Sequence, residues 1–239
     1  MQELQVGMEN ALLEYADKLK KYIGTNLNVF GMITKAQTDI LKTGFSFYTE
    51  DKEKTFLVFN EIYQQSNNFE TKNLAFAFLD KNHKYIPVKT QLKTLPKWVK
   101  QVDNWAHSDN LSKYLTRLLQ HEDTREEMLA IIKKWNASKN LWERRQSLIA
   151  LFYYARTKKT HPDFDLTKQL VFPLIADKEY FVQKAVGWTL RESYNVYPKQ
   201  TFAFIEENIK QISPTAFTTC IEKMTEQEKL ILKQERKKK

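Results

Sequence analysis

The segment FETKNLAFAFL, residues 69–79, decides the fold because three later segments repeat its pattern. They are WAHSDNLSKYL from Trp105, WERRQSLIALF from Trp142 and FVQKAVGWTLR from Phe181. The aromatic anchors are 36, 37 and 39 residues apart, and each opens a stretch whose later turns are mostly apolar. A period of this length with two helices per unit is typical of a HEAT-like α-solenoid, a superhelical stack of antiparallel helix pairs. The sequence therefore predicts an all-α fold of that kind.

The composition agrees with short helices joined by brief connections. The 239 residues include only five glycines and six prolines, too few for the frequent turns of hairpins and sandwiches. We expect roughly a dozen helices. We predict that residues 1–235 form a single domain and residues 236–239 a mobile basic tail. Most of the prolines are predicted to lie at or near helix starts, where a missing N–H does no harm: Pro96, Pro162, Pro173, Pro198 and Pro214.

The charge of the chain indicates an anionic partner. Lys and Arg total 38 against 29 Asp and Glu, a formal net charge of +9. Nucleic acid is the first candidate and a membrane surface the second. In three of the four segments a basic residue stands three positions after the anchor: Lys72, Arg145 and Lys184. Equivalent positions of stacked repeats form a line, and a line of cations suits duplex DNA.

Other classes of protein are disfavoured. The single Cys220 excludes an internal disulfide framework, and the first residues contain no apolar signal core. No apolar run approaches the roughly 18 residues of a membrane span, so we expect a cytoplasmic protein with no membrane partner. We also expect it to be a monomer. His107, His121 and the neighbouring acids Glu122 and Asp123 lack metal-ligand spacing, so no metal site is predicted.

The candidate site centres on Trp105 and Asp109, which are four residues apart and therefore share one face of a helix, one turn from each other. Structural alternatives stay open at this point. Asp109 could be an early-helix acid that the macrodipole favours, and Trp105 could pack between repeats. Arg144 and Arg145 could form an exposed pair of which at most one contacts DNA. For Lys184, a phosphate contact and simple exposure to solvent are equally good interpretations.

Three segments, VDNWAHSD (102–109), SKNLWERRQS (138–147) and FVQKAVGWTLRE (181–192), resemble the HEAT-like DNA alkylation-repair glycosylases of the AlkD type. The resemblance covers about residues 30 to 212. It implies hydrolysis of the N-glycosidic bond of cationic N3- or N7-alkylated purines, such as 3-methyladenine and 7-methylguanine, in duplex DNA without metal or cofactor. Trp105 and Asp109 match the family's Trp-x-x-x-Asp pair, Arg145 its phosphate-binding arginine and Trp188 the tryptophan of its Gly-Trp element.

We therefore expect two groups of site residues, a catalytic group and a DNA-binding group: Asp109, Trp105 and Trp188 in the first, and Arg145, Arg144, Lys184 and Lys72 in the second. The sequence departs from many members of the family in having Asn104, rather than a second aromatic residue, before Trp105, and in the triplet Ala106-His107-Ser108 that follows it.

The chemistry of the reaction supports these roles independently. A cationic alkylpurine leaves as a neutral base and needs no general acid, so the enzyme must stabilise an oxocarbenium-like sugar and position a water. The Asp109 carboxylate can do both, and each indole adds about 0.5 to 2 kcal/mol of cation–π attraction. The Arg145 fork suits a phosphate. The alternative is a non-catalytic HEAT-like protein that binds bent or branched DNA or a protein partner.

Overall fold

The computed structural model describes residues 13–153 and 160–238. These residues form thirteen α-helices and three short 3-10 helices, and their single β-bridge joins Asn28 to Asn68. The predicted all-α, solenoid-like fold is confirmed. The chain forms two compact units, the first ending at Leu111 and the second beginning at Ser112. The boundary falls inside one helix, and the prediction of a single domain stays a prediction.

Among its described residues, from 13 onward, the first unit has five complete helices and the start of a sixth. They are α1 (Leu13–Ile23), α2 (Thr34–Thr43), α3 (Lys52–Gln65), α4 (Phe69–Asn82), α5 (Val88–Trp98) and α6 (Trp105–Gln120). The second unit continues α6 and adds α7 (Arg125–Asn136), α8 (Leu141–Ile149), α9 (Phe164–Val171), α10 (Tyr180–Tyr194), α11 (Pro198–Glu207), α12 (Pro214–Cys220) and α13 (Glu226–Lys237). The 3-10 helices are His83–Tyr85, Val99–Gln101 and Phe172–Leu174.

Within each unit, several helices that are two apart in the chain contact each other. In the second unit α8 contacts α10 and α10 contacts α12, while α9 contacts α11 and α11 contacts α13. In the first unit α2 contacts α4 and α3 contacts α5. Two parallel rows of this kind arise when successive helix pairs stack on one another, because each helix then meets its equivalent in the next pair. The predicted anchors open α4 and α6, and stand second in α8 and α10.

An asparagine before three of the anchor helices caps the helix N-terminus. The side chain of Asn68 accepts a hydrogen bond from the Thr71 backbone N–H, and that of Asn140 accepts one from Trp142. Asn104 likewise accepts a hydrogen bond from the backbone N–H of His107. The three asparagines are spaced 36 and 36 residues apart. Such a cap satisfies a backbone donor that the helix leaves unpaired, and is worth about 1 kcal/mol. Asn104, the residue that replaces the second aromatic of the resembled family, therefore caps the helix that begins at Trp105.

Aromatic side chains form much of the core of the first unit. The rings of Tyr63 and Trp98 stack with centroids 3.9 Å apart, and both side chains are fully buried. The Trp98 indole N–H donates to the side-chain oxygen of Asn60 at 2.8 Å, so its polar atom is satisfied. Burial of a large apolar side chain contributes about 1.5 to 3 kcal/mol. These residues fix α3 against α5, and α4 packs beside them through Phe76.

The proline predictions are correct except at Pro96. Pro198 and Pro214 begin α11 and α12, and Pro173 lies at the start of a 3-10 helix. Pro162 precedes α9. Pro96 instead lies inside α5, where it removes the hydrogen bond to the carbonyl four residues earlier. The burial of Leu95 and Trp98 on either side of Pro96 holds the helix together beyond it.

Arg236 and Lys237, the first two residues of the predicted basic tail, belong to the last helix. Helix α13 runs through Lys237, and its first residues form a capping box between Thr225 and Glu228. The guanidinium of Arg236 donates to the Ile209 carbonyl at 2.8 Å and lies 4.7 Å from the centroid of the Phe217 ring. Arg236 therefore anchors α13 to the second unit, while Lys239 lies outside the described residues.

Candidate functional site

Trp105, the first residue of α6, contacts the end of α1. Its indole N–H donates to the Tyr22 carbonyl at 3.4 Å, and the two rings meet edge-on with centroids 5.4 Å apart. Tyr22 is 72% exposed. Tyr22 was not among the predicted site residues, because its place in the apolar spacing of the first helix resembles that of a core residue. The hydrogen bond fixes the edge of the Trp105 indole that carries the N–H, and the exposed Tyr22 ring is an aromatic neighbour of that indole.

Asp103 explains why α1 ends beside Trp105. Its carboxylate accepts hydrogen bonds from the Thr25 hydroxyl at 2.7 Å and from the Asn26 backbone N–H at 2.7 Å. It also accepts one from the Asn104 side-chain amide at 2.8 Å. Hydrogen bonds to a charged acceptor are the stronger kind. Asp103 therefore fixes the turn after α1 to the start of α6, which positions Tyr22 against Trp105.

His107 lies between the two predicted catalytic residues in sequence, yet its ring is fully buried. The ring stacks on Phe69 with centroids 4.6 Å apart, and Nε2 lies 3.3 Å from the Phe69 carbonyl oxygen. Because a carbonyl can only accept, Nε2 carries the proton, and Nδ1 accepts from the Asn104 amide at 3.1 Å. Burial, and secondarily the charge of Lys72, lowers the pKa of His107 to about 3. The imidazole is therefore neutral and fixes the first turn of α6 to α4.

Asp109 follows Trp105 by one turn on α6, as the sequence predicted. Its side chain is partly accessible to solvent, as is that of Trp105. His107 thus fixes the first turn of α6 to α4, and Asp103 fixes the start of α6 to the turn after α1. These supports leave Trp105 and Asp109 on a rigid helix, which is the arrangement that a preorganised electrostatic site requires.

The expected DNA contact of Lys72 is contradicted by its burial. Only 1% of Lys72 is exposed, and its ammonium donates to the Tyr63 carbonyl at 2.5 Å. The same ammonium lies 4.3 Å from the centroid of the Tyr63 ring. Burial lowers the pKa of Lys72 to about 8, partly offset by the charge of Asp103. The helical pattern placed Lys72 three residues after its anchor, but it could not reveal that this face of α4 points into the core.

In the second unit, the two adjacent arginines have different neighbours. Arg144 forms an ion pair with Asp177 at 2.7 Å and donates to the carbonyls of Ser138 and Lys139 at 3.0 Å. These contacts tie the loop before α8 to the loop before α10, so Arg144 serves the scaffold. Arg145 donates to the Phe181 carbonyl at 2.8 Å and is 6% exposed.

Trp188 is positioned by the packing of α10 on α12. A Cβ on Gly187 would lie 2.5 Å from the Ala216 carbonyl oxygen, so only glycine allows this approach. The Arg191 guanidinium lies 5.9 Å from the centroid of the Trp188 ring and forms an ion pair with Glu222 at 2.7 Å. Trp188 is partly accessible. The ammonium of Lys184, one turn earlier, donates to the Thr219 hydroxyl at 3.4 Å.

The predicted site residues thus fall into two sets. Trp105 and Asp109 belong to the first unit, and Arg145 and Trp188 to the second. The convergence of the two sets on one DNA groove stays a prediction. Within the described ranges, no three His, Cys, Asp or Glu side chains are grouped as a metal site would require.

Comparison with known proteins identifies the family. A family model for DNA alkylation repair enzymes matches residues 7–224, nearly the whole chain. The chain belongs to this family. Membership in the DNA alkylation repair enzymes gives the protein a role in DNA repair and confirms the resemblance seen in the sequence.

A solved structure shares the fold. It is described as a predicted DNA alkylation repair enzyme from Enterococcus faecalis, with a TM-score of 0.72 and 20% sequence identity over 90% of this chain and 97% of that chain. At this identity the likeness concerns the fold alone. No curated protein sequence matches this member of the family significantly. In the described parts of the chain, no helix is long and apolar enough to cross a membrane.

Proposed function

We propose that this alkylation repair enzyme is a DNA glycosylase that excises cationic N3- or N7-alkylated purines from duplex DNA. The observation that carries the proposal is the pair Trp105 and Asp109, one turn apart on a helix whose start is fixed by Asp103 and His107. A partly accessible carboxylate beside a partly accessible indole is the combination that a positively charged sugar and base require.

The reaction divides between the sugar and the base. The alkylated purine departs as a neutral base, so no side chain has to supply a proton to it. As the glycosidic bond lengthens, positive charge moves to the deoxyribose, and the Asp109 carboxylate stabilises that charge electrostatically. The same carboxylate orients the attacking water and accepts its proton. No cofactor enters this scheme.

The aromatic residues act on the base before it leaves. An indole face within about 6 Å of a cation attracts it by about 0.5 to 2 kcal/mol. Trp105 and Trp188 take this role in the proposal, and the exposed Tyr22 ring extends the aromatic surface of Trp105. A factor of ten in rate corresponds to about 1.4 kcal/mol. A carboxylate that stabilises the transition state electrostatically contributes about 2.7 to 4 kcal/mol. It therefore outweighs either ring taken singly, and Asp109 ranks first.

Binding of the DNA backbone is assigned to Arg145 and Lys184. Arg144 and Lys72 are engaged by Asp177 and Tyr63. Arg145, which matches the phosphate-binding arginine of the family, is the proposed phosphate clamp, and Lys184 is a secondary contact. We expect the enzyme to act as a monomer, in the cytoplasm, on duplex DNA.

The deciding experiment measures release of free 7-methylguanine from methylated duplex DNA. The wild type should release the base, and Asp109→Asn should lose at least about a hundredfold in rate, the scale of one electrostatic group in an active site. Asp165→Asn, the same change at an exposed position of α9, is the matched control and should match the wild type. Absence of release by the folded wild type refutes the glycosylase. Equal rates for wild type and Asp109→Asn refute only the role of Asp109.

A further inference from the structure

A strongly basic stretch in the first unit takes no part in the proposed site. Residues 81–102 contain six lysines and neither Asp nor Glu. All of these lysines are exposed: Lys81, Lys84, Lys89, Lys93, Lys97 and Lys100. The stretch comprises the end of α4, the connection that follows it, the whole of α5 and a 3-10 turn. The repeat pattern does not point to it, because no anchor begins α5.

Four of these lysines are aligned. Successive residues of a helix are rotated by about 100°, so Lys89, Lys93 and Lys97 lie within about 80° of one another on α5, with a rise of about 6 Å between neighbours. Lys100 follows in the adjoining 3-10 turn. We call Lys89, Lys93, Lys97 and Lys100 the α5 lysine stripe. The other face of α5 is buried through Leu92, Leu95 and Trp98, so the stripe points away from the core.

Repulsion between the lysines of the stripe would destabilise an isolated helix. Like charges four residues apart repel each other and destabilise a helix. The neighbouring acid Glu53 on α3 accepts a hydrogen bond from Thr90. In the described part of the chain, Lys93, Lys97 and Lys100 form no ion pair with a carboxylate. The arrangement therefore adds local repulsion that no carboxylate neutralises at these three positions.

We propose that the α5 lysine stripe binds the phosphate backbone of duplex DNA, as a contact separate from the residues that act on the lesion. The stripe extends about 16 Å along its helix, and duplex DNA presents one negative charge per about 1.7 Å of its axis. A linear array of cations fits such a linear array of anions. The proposal requires DNA binding only, and it goes beyond the glycosylase function because it assigns the stripe no part in base excision.

The test uses undamaged duplex DNA, so excision does not influence the result. The quadruple variant K89Q/K93Q/K97Q/K100Q is compared with K133Q/K134Q/K223Q/K233Q, which removes the same number of charges from exposed positions of the second unit. Affinity is measured by fluorescence anisotropy as a function of salt. The logarithmic salt slope falls by about 0.9 for each phosphate that the protein no longer neutralises. We expect a decrease of about 2 to 4 for the stripe variant and less than about 1 for the control.

A positional measurement accompanies the salt titration. Acetylation of surface lysines in the wild type, read by mass spectrometry, should be slower at Lys93 and Lys97 when undamaged duplex is present. Equal salt slopes for the two quadruple variants overturn the proposal, because net charge alone then explains binding. Equal acetylation with and without duplex also overturns it, because the duplex then does not cover these lysines. Failure to release 7-methylguanine refutes the glycosylase and leaves this result unaffected.

Discussion

The ammonium of Lys72 lies 4.3 Å from the centroid of the Tyr63 ring and donates a hydrogen bond to the carbonyl of the same residue. One residue thus satisfies a buried cation with both its backbone and its ring. The pair shows why a basic residue at a repeat position need not belong to the DNA surface.

Burial of Lys72 makes the free energy of unfolding depend on pH in the alkaline range. The pKa of Lys72 is lowered from 10.5 to about 8 in the folded protein. Between these values the unfolded chain binds more protons than the native one, so the free energy of unfolding rises with pH. In Lys72→Met this increment should be missing. Thermal denaturation of both proteins from pH 7.5 to 9.5 measures the difference, and parallel curves would contradict the buried ammonium.

His107 should produce the corresponding effect in acid. Its pKa is lowered from 6.5 to about 3, so over this range the unfolded chain again binds the extra proton. Stability contributed by the neutral ring is present above pH 6.5 and is lost as pH falls, by about 1.4 kcal/mol per pH unit. His107→Gln, although less stable at pH 7, should therefore approach the wild type as pH falls toward 4. Urea denaturation at several pH values tests this, and a constant difference would argue against a buried neutral imidazole.

The change Gly187→Ala should affect stability in the direction opposite to that usual for a glycine inside a helix. Alanine in place of glycine inside a helix normally stabilises a protein by about 0.5 to 1 kcal/mol. Here the added Cβ would meet the Ala216 carbonyl oxygen at 2.5 Å and the Thr219 side chain at 2.8 Å. Gly187→Ala should therefore destabilise by about 1 to 3 kcal/mol. It should also displace Trp188 and reduce base excision. An increase in melting temperature would show that α10 and α12 are not in such close contact.

Substitution of Arg144 should affect stability, whereas substitution of the adjacent Arg145 should affect DNA binding. Arg144→Ala removes the ion pair with Asp177 and two hydrogen bonds to carbonyls, which should cost about 2 to 3 kcal/mol. Because this arginine serves the scaffold, the salt slope of DNA binding should not change. Arg145→Ala should lower that slope by about 0.9, the value for one phosphate contact.

A double variant serves as the control for this comparison. Arg144→Ala combined with Asp177→Ala should cost less than the sum of the two single changes, because neither partner is left unpaired. The opposite assignment, in which Arg144 alone changes the salt slope, would make Arg144 the phosphate clamp.

The sequence predicted those parts of the structure that depend on local pattern. The four anchors do begin helices or stand second in them, and the fold is all-α. The sequence did not reveal which side of each helix is buried. Lys72 and Arg145 occupy equivalent positions, and tertiary packing buries both, Lys72 against Tyr63 and Arg145 against the Phe181 carbonyl. Tyr22 was missed for the converse reason, since its apolar spacing resembles that of a core residue although the ring is exposed.

The distribution of indoles gives the protein an intrinsic optical probe. Of its five tryptophans, Trp98, Trp135 and Trp142 are buried, whereas Trp105 and Trp188 are partly accessible. A neutral collisional quencher such as acrylamide therefore reaches chiefly the two rings assigned to the damaged nucleotide. Shielding of their emission when a lesion is bound would report, without any label, whether the lesion contacts these rings, and single Trp→Phe changes would attribute the signal to one ring or the other.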